Sequence, residues 1–316
     1  MLWLLACTPA PLTAQAPGAT TTLDSAELVA AADLDGDGLD ELISVQNGVL
    51  RWPGGEQAIG GAPARSARGV IDGREVALVA TGMSRDHKGV PAQIWMVSSD
   101  GAEMVLDLPT ARAQIPTLEV IDGRIWAALF RDTYTVEGGW VEDGGFTTAA
   151  SGRLAEAQVP LGDQVAVGRV YGDEPRSDGD LTLSPSGKKL PVFRGVRQVE
   201  RADVDGDGDL DLLVADGWHS NYGAIADGRV LLLRGPDWSH GSVIAHLGAD
   251  YTAESMELRG NDLLVSGPIN VHLLRRDSVG WVDFDLGENG GNAVFVTTPD
   301  GPAVWIAGEP SRLVML

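Results

Sequence analysis

The sequence predicts an all-β fold built as a ring of repeated small sheets, and three observations carry that prediction. First, apolar runs of four to eight residues rich in Val, Leu and Ile recur along the chain, each bounded by Gly, Asp, Asn or Pro. That is the punctuation of short strands. Second, no stretch keeps apolar residues at i, i+3, i+4 and i+7 long enough to make a helix. Third, one unit returns seven times: a strand, a tight acidic or glycine turn, then a more apolar strand.

Taken in order, the predicted units pair 28–32 with 42–45 around Asp35-Gly36, and 69–71 with 76–80 around Asp72-Gly73. Next come 117–121 with 125–130 around Asp122-Gly123, and 157–159 with 165–170 around Gly162-Asp163. The last three pair 196–202 with 210–215 around Asp205-Gly206, 256–258 with 263–265 around Gly260-Asn261, and 293–297 with 303–307 around Asp300-Gly301. Successive turns lie 37 to 55 residues apart, and four-stranded propeller blades repeat at about 40–50 residues.

Each unit leaves chain for two further strands, for example 93–98 with 104–108, 230–234 with 242–247, and 271–275 with 281–286. The seventh unit runs out after three strands, the third being 312–316. A strand near Thr20–Leu23 is expected to complete it and close the ring, because closure removes exposed sheet edges. The expected architecture is therefore a seven-bladed β-propeller over residues 20–316, with six or eight blades as the neighbouring solutions. A pair of β-sandwiches would also have short strands, but not this period or a final unit one strand short.

Composition bounds the function. The 316 residues carry 44% hydrophobic side chains, enough for a sizeable core, and 41 Gly with 17 Pro, suited to many turns. With 45 acidic against 23 basic residues the net charge is -22, which argues against nucleic acid or an anionic lipid surface as partner. The single cysteine, Cys7, excludes an internal disulfide and any cysteine-built metal site.

The strongest chemistry lies in two turns. One is Asp33-Leu34-Asp35-Gly36-Asp37-Gly38-Leu39-Asp40-Glu41, and the other is Asp203-Val204-Asp205-Gly206-Asp207-Gly208-Asp209-Leu210-Asp211. Carboxylates at positions 1, 3, 5 and 9 converge if the chain wraps round a point, and glycines at 4 and 6 permit the wrap. The carbonyls of Leu39 and Asp209 at position 7 add an oxygen. Hard oxygen ligands on a flexible loop suit Ca²⁺ better than Mg²⁺. An EF-hand would need a bidentate acid at position 12, where Ser44 and Val214 stand, and a helix where apolar strands follow. A dockerin pair would keep its two loops close in sequence.

Both turns, with the preceding Ala and the following apolar strand, resemble the FG-GAP/VCBS type of propeller repeat. The resemblance implies calcium-stabilised blades like those of the integrin α-subunit head. It implies about two structural Ca²⁺, one held by Asp33, Asp35, Asp37, Leu39 and Glu41 and the other by Asp203, Asp205, Asp207, Asp209 and Asp211. Glu41 departs from the usual Asp at position 9. The other five turns lack the acidic set.

Leu4-Leu5-Ala6-Cys7 resembles a bacterial lipobox. It implies a signal segment over 1–6, lipidation of Cys7, a Pro/Ala/Thr tether over 7–19, and a domain held outside the cytoplasm, in the cell envelope or secreted. The apolar run is shorter than a full signal segment and lacks a basic flank, as a start placed downstream of the true one would leave it. Membrane contact is expected through the lipid alone, and a monomer is expected.

Ligand recognition is expected on the face opposite the acidic turns, where three loops are long: 82–92, 172–180 and 216–229. The third contains Trp218, His219, Asn221 and Tyr222, flat apolar area with hydrogen-bonding edges that suits a carbohydrate or protein partner. Arg85 and His87 add positive charge, and Asp173 and Asp178 carboxylates. The alternative is a secreted polysaccharide hydrolase or lyase working at that face, with Tyr171 and Asp180 joining the carboxylates; a structural envelope module is the third reading. The sequence has neither Gly-x-Ser-x-Gly nor His-Glu-x-x-His, and its five histidines are scattered.

Overall fold

The computed structural model describes residues 16–82, 92–108, 115–130, 135–153, 155–170, 179–192, 195–218, 227–249, 253–267, 269–288 and 292–316. Every regular element is a strand, and the strands form seven four-stranded antiparallel sheets. The first strand, β1 (Thr20–Leu23), belongs to the last sheet.

Blade 1 is β2 (Leu28–Ala32), β3 (Glu41–Gln46), β4 (Val49–Trp52) and β5 (Gly55–Ala58). Blade 2 is β6 (Ala62–Ile71), β7 (Arg74–Gly82), β8 (Ala92–Ser98) and β9 (Gly101–Leu108). Blade 3 is β10 (Thr117–Ile121), β11 (Arg124–Phe130), β12 (Thr135–Glu142) and β13 (Gly145–Arg153). Blade 4 is β14 (Ala157–Leu161), β15 (Gln164–Gly168), β16 (Leu181–Ser184) and β17 (Lys188–Lys189). Blade 5 is β18 (Gly195–Ala202), β19 (Asp211–Trp218), β20 (Asp227–Leu233) and β21 (Gly241–Ala249). Blade 6 is β22 (Ser255–Arg259), β23 (Asp262–Ser266), β24 (Asn270–Arg276) and β25 (Trp281–Glu288). Blade 7 is β26 (Ala293–Thr298), β27 (Gly301–Ile306) and β28 (Ser311–Met315), completed on its outer edge by β1.

The first strands of consecutive blades touch in a closed cycle, β2 to β6, β10, β14, β18, β22, β26 and back to β2. This is the seven-bladed β-propeller that the repeat predicts. Its core is not one cluster but seven, each between two neighbouring blades. Leu28, Ala30, Ile43 and Val45 of blade 1 pack with Ala77, Val79 and Val97 of blade 2. Val29 and Ala31 meet Val294, Val296 and Trp305 across the closing seam. Alternating apolar side chains on both faces of each sheet make this packing, because a middle blade is covered on both sides.

The closing strand pairs Thr20 with Val314, Thr21 with Leu313, Thr22 with Arg312 and Leu23 with Ser311. Pairing starts before β1: Gly18 N–H donates to the Met315 carbonyl at 2.7 Å, and Met315 N–H to the Ala19 carbonyl at 2.9 Å. The turns between first and second strands are tight in blades 2 and 3. Asp72-Gly73 and Asp122-Gly123 have φ of 51° and 76°, and 50° and 75°. Two consecutive positive φ values make the hairpin turn for which Asp-Gly is suited.

Two boundaries differ from the sequence reading. Asp216, Gly217 and Trp218 belong to β19, and Asp227–Arg229 to β20, so the predicted 216–229 loop is shorter at both ends. Likewise Gly82 ends β7 and Ala92 starts β8. Cross-strand hydrogen bonding continues as far as the register holds, beyond the last apolar residue. Among the described residues no helix is long and apolar enough to cross a membrane.

Candidate functional site

The first acidic turn joins β2 to β3 and the second joins β18 to β19, so both lie on the same face of the ring. In the first, Asp33 Oδ1 accepts the Gly36 N–H at 2.8 Å and Oδ2 the Gly38 N–H at 2.9 Å. Asp35 accepts from Asp37 N–H at 3.1 Å, and Asp37 from Leu39 N–H at 2.8 Å. The second turn repeats the pattern: Asp203 takes Gly206 N–H at 2.7 Å and Gly208 N–H at 2.9 Å, and Asp207 takes Asp209 N–H at 2.9 Å. The wrap needs left-handed backbone at Gly36 (φ 78°) and Gly38 (φ 88°), matched by Gly206 (81°) and Gly208 (93°).

The wrap brings Asp33, Asp35 and Asp37 together, with one carboxylate oxygen of each within 4.8 Å of the others, and does the same for Asp203, Asp205 and Asp207. That donor set fits a hard cation such as Ca²⁺. Glu41 and Asp211 are placed differently. Glu41 Oε2 accepts Leu34 N–H at 2.7 Å, while Asp211 Oδ2 accepts Val204 N–H at 3.2 Å and its Oδ1 accepts Gly235 N–H at 2.8 Å. Both position-9 acids thus tie the turn's second residue to the start of the next strand, and the longer Glu41 side chain still makes this bond.

The two turns are anchored unequally. Asp33 N–H donates to Glu75 Oε2 of blade 2 at 3.1 Å. Asp40 turns inward with its side chain only 3% exposed, where it meets Arg68 at 3.3 Å, Arg259 at 3.4 Å and the Thr297 N–H at 2.6 Å. The equivalent position in the second turn is Leu210, which is exposed. There Arg234 reaches across from the end of β20 to bond Asp205.

Of the residues expected at the opposite face, Arg85, His87, Asp173, Asp178, His219, Asn221, Tyr222 and Tyr171 lie outside the described residues, as does Cys7. Trp218 is the last residue of β19, its backbone paired with Gly195. Asp180 is held by Arg169 at 2.7 Å and Lys189 at 3.6 Å, so its carboxylate is already engaged.

The sequence reading overlooked the central axis. A cavity of about 200 Å³ runs between the innermost strands of blades 1, 2, 3, 5, 6 and 7. Glu119, Glu200, Arg201, Glu257 and Arg68 line it. Burial pushes Glu119 up to about 8 against the opposing pull of Arg201. Burial, then the neighbouring Glu119 and Glu257, push Glu200 well above the usual carboxylate range. Burial also raises Glu257, opposed by the Phe295 N–H that it accepts at 3.1 Å and by Arg68 and Arg259. A signal for these residues was present: each interrupts the apolar first strand of its unit, as in Thr117-Leu-Glu119-Val and Val199-Glu200-Arg201-Ala.

No protein-family model matches the chain, and no curated protein matches it. Solved structures do resemble it in fold. The crystal structure of Saccharomyces cerevisiae Sqt1 superposes with a TM-score of 0.52 at 11% identity, covering 95% of this chain and 99% of that one. The computationally designed Ika8 protein gives a TM-score of 0.48 at 12% identity, over 91% and 83% of the two chains.

Proposed function

We propose that this protein is a calcium-stabilised propeller acting as an extracytoplasmic binding module, which takes a protein or carbohydrate partner on the face opposite its acidic turns. The observation that carries the metal part is the recurrence of one wrapped acidic turn in blades 1 and 5, each drawing three carboxylates within 4.8 Å. Three such groups repel one another unless a cation sits among them. In this reading Asp33, Asp35 and Asp37 hold one Ca²⁺, and Asp203, Asp205 and Asp207 the other. The carbonyls of Leu39 and Asp209 complete the sets, and Glu41 and Asp211 brace the loops. The ions pin strand turns and do no chemistry.

The partner part rests on the scaffold: rigid blades present loops of one face together, and binding residues concentrate on such loops. The extracytoplasmic part rests on the lipobox-like Leu4-Leu5-Ala6-Cys7. Metal analysis of the purified protein with melts in Ca²⁺ and in excess chelator tests the first part. About two Ca²⁺ per chain and a melting temperature lowered by chelator are expected; no bound Ca²⁺ and no shift would overturn it. A glycan array, with a reducing-end assay on the same polysaccharides, tests the second. Binding without cleavage is expected, and released reducing ends would replace the binding module with an enzyme. Fatty-acid labelling that disappears in Cys7→Ser is the expected sign of the anchor.

A further inference from the structure

The central channel holds two carboxyl groups that the fold does not pair. Arg68 is committed to Asp40, which it shares with Arg259. Glu257 accepts the Phe295 N–H. Glu119 of β10 and Glu200 of β18 accept no hydrogen bond from, and make no ion pair within 4 Å with, the described residues; Arg201 acts on both only through space. Both residues are half-buried and line the cavity. Buried polar groups ordinarily find donors, and a carboxylate can accept several. Two carboxyls therefore share one guanidinium, and once ionised they have neither a described protein donor nor a second positive charge.

The size and lining of the cavity say what could supply them. Among the described residues, the two acidic turns are the places where three acidic groups converge within 4.8 Å, and Glu119, Glu200 and Glu257 are not such a set. Their spacing does not suit a single metal ion ligated by all three. An engineered apolar cavity of about 150 Å³ accepts benzene, so the roughly 200 Å³ here has room for a small organic molecule. One part of the wall is apolar, from Ala30, Leu118, Met256 and Val294. A short hydrocarbon carrying an N–H₃⁺ group matches both halves.

We propose that the central channel binds a small organic amine in its ammonium form, held by the carboxylates of Glu119 and Glu200 with its alkyl part against the apolar wall. The ammonium provides three donors and balances the carboxylate that its arrival ionises. This site is separate from the acidic turns and from the loop face, and does not rest on the function proposed for either.

Proton linkage distinguishes this site from a surface one. The groups facing Glu119 are Arg201 and Glu200; those facing Glu200 are Glu119, Glu257 and Arg201. Burial raises both carboxyls, Glu119 to about 8, so an arriving ammonium must expel at least part of the Glu119 proton. The test is calorimetric titration of the full chain with butan-1-amine and with 1,4-diaminobutane. Ca²⁺ is saturating throughout, ionic strength is constant, and butan-1-ol is the uncharged control.

Saturable binding of an amine at one site per chain is expected, with a heat that varies with buffer ionisation enthalpy as protons leave. Affinity should rise from pH 6 to pH 9, and should fall tenfold or more in Glu119→Gln and in Glu200→Gln. Each of these substitutions mimics the protonated acid and keeps its shape. Should either variant fail to fold, proton release by the unaltered chain still decides. The proposal is overturned by absence of saturable amine binding, by equal binding of butan-1-ol, by binding without proton release at pH 7, or by unchanged affinity in both variants.

Discussion

Asp40 and Thr297, 257 residues apart in sequence, bind each other twice: Thr297 N–H donates to Asp40 Oδ2 at 2.6 Å, and Asp40 N–H to the Thr297 carbonyl at 2.9 Å. Asp40 is the eighth residue of the first acidic turn and Thr297 lies in the first strand of blade 7. Arg68 and Arg259 on the same carboxylate extend the link to blades 2 and 6. One buried side chain thus couples a turn with the acidic wrap to three other blades at the mouth of the channel.

Removing that carboxylate should be costly. Asp40→Ala leaves the Arg68 guanidinium and the Thr297 N–H without their partner, and leaves Arg259 with Thr297 Oγ1 alone. Both arginines keep part of their surface in water, so the loss should be about 2–3 kcal/mol rather than the full cost of a wholly buried pair. Urea denaturation at saturating Ca²⁺ measures it; a change below about 0.5 kcal/mol would mean the cluster is not structural.

Ring closure should depend on the short strand before residue 24. Deleting residues 1–23 removes four paired positions and exposes β28 as an open edge. The melting temperature should fall on the order of 5–10 °C, with self-association visible by light scattering. Deleting residues 1–15 keeps Gly18 and β1, and should melt like the full chain.

The seam between blades 2 and 3 has no room at Gly69. A Cβ there would stand 2.4 Å from the Val120 Cβ. Gly69→Ala should therefore lower stability by about 1–3 kcal/mol through overpacking. In a Val120→Gly background the same change should cost little, and additive losses would show that the two residues do not meet.

Arg234 is bonded to Asp205, and on the proposed reading it competes there with Ca²⁺. Arg234→Ala removes the competing cation at a largely exposed site, so Ca²⁺ affinity of the blade 5 turn should improve about two- to five-fold. Stability without Ca²⁺ should fall slightly. Calorimetric titration checks the first effect; weaker binding would mean that Arg234 shapes the loop instead.

The channel carboxyls give stability a definite pH dependence. Glu119 has its folded value raised from 4.5 to about 8, so the folded chain binds its proton more tightly than the unfolded chain. Its contribution is complete below about pH 4.5, declines as pH rises, and is lost by about pH 8. Relative to the wild type, Glu119→Gln should gain stability as pH rises from 5 to 8. A difference independent of pH would show that Glu119 is ionised throughout.

Much of the ring was legible because blade boundaries are written locally. Strand β2 and the turn at Asp35 follow from a run of small apolar residues meeting a glycine-rich acidic stretch, and β10 with Asp122-Gly123 is as plain. The outer strands are less legible. β5 is Gly-Glu-Gln-Ala, exposed throughout, and β17 is two lysines. Outermost strands pack on one side at most, so their sequences carry little apolar pattern. Trp218 shows the limit at a boundary, since its place in β19 depends on the register with Gly195 and not on its own neighbours.

The sequence by itself determined the number of blades, the strand that closes the ring and the two acidic turns, in which it expected the position-9 acid to converge with the other three. The turns follow from residues close together in the chain, the blade number from the period of the repeat, and the closing strand from a last unit one strand short. The tertiary structure decided the rest. Asp40 becomes a clamp because blades 2, 6 and 7 bring Arg68, Arg259 and Thr297 to it. Position 9 of each turn braces backbone because the next strand starts there. Glu119 and Glu200, 81 residues apart (200 − 119), share one cavity because closure of the ring points every first strand at the axis. A charge inside an apolar run reads in sequence as an interruption, and only closure of the ring brings it to a shared cavity.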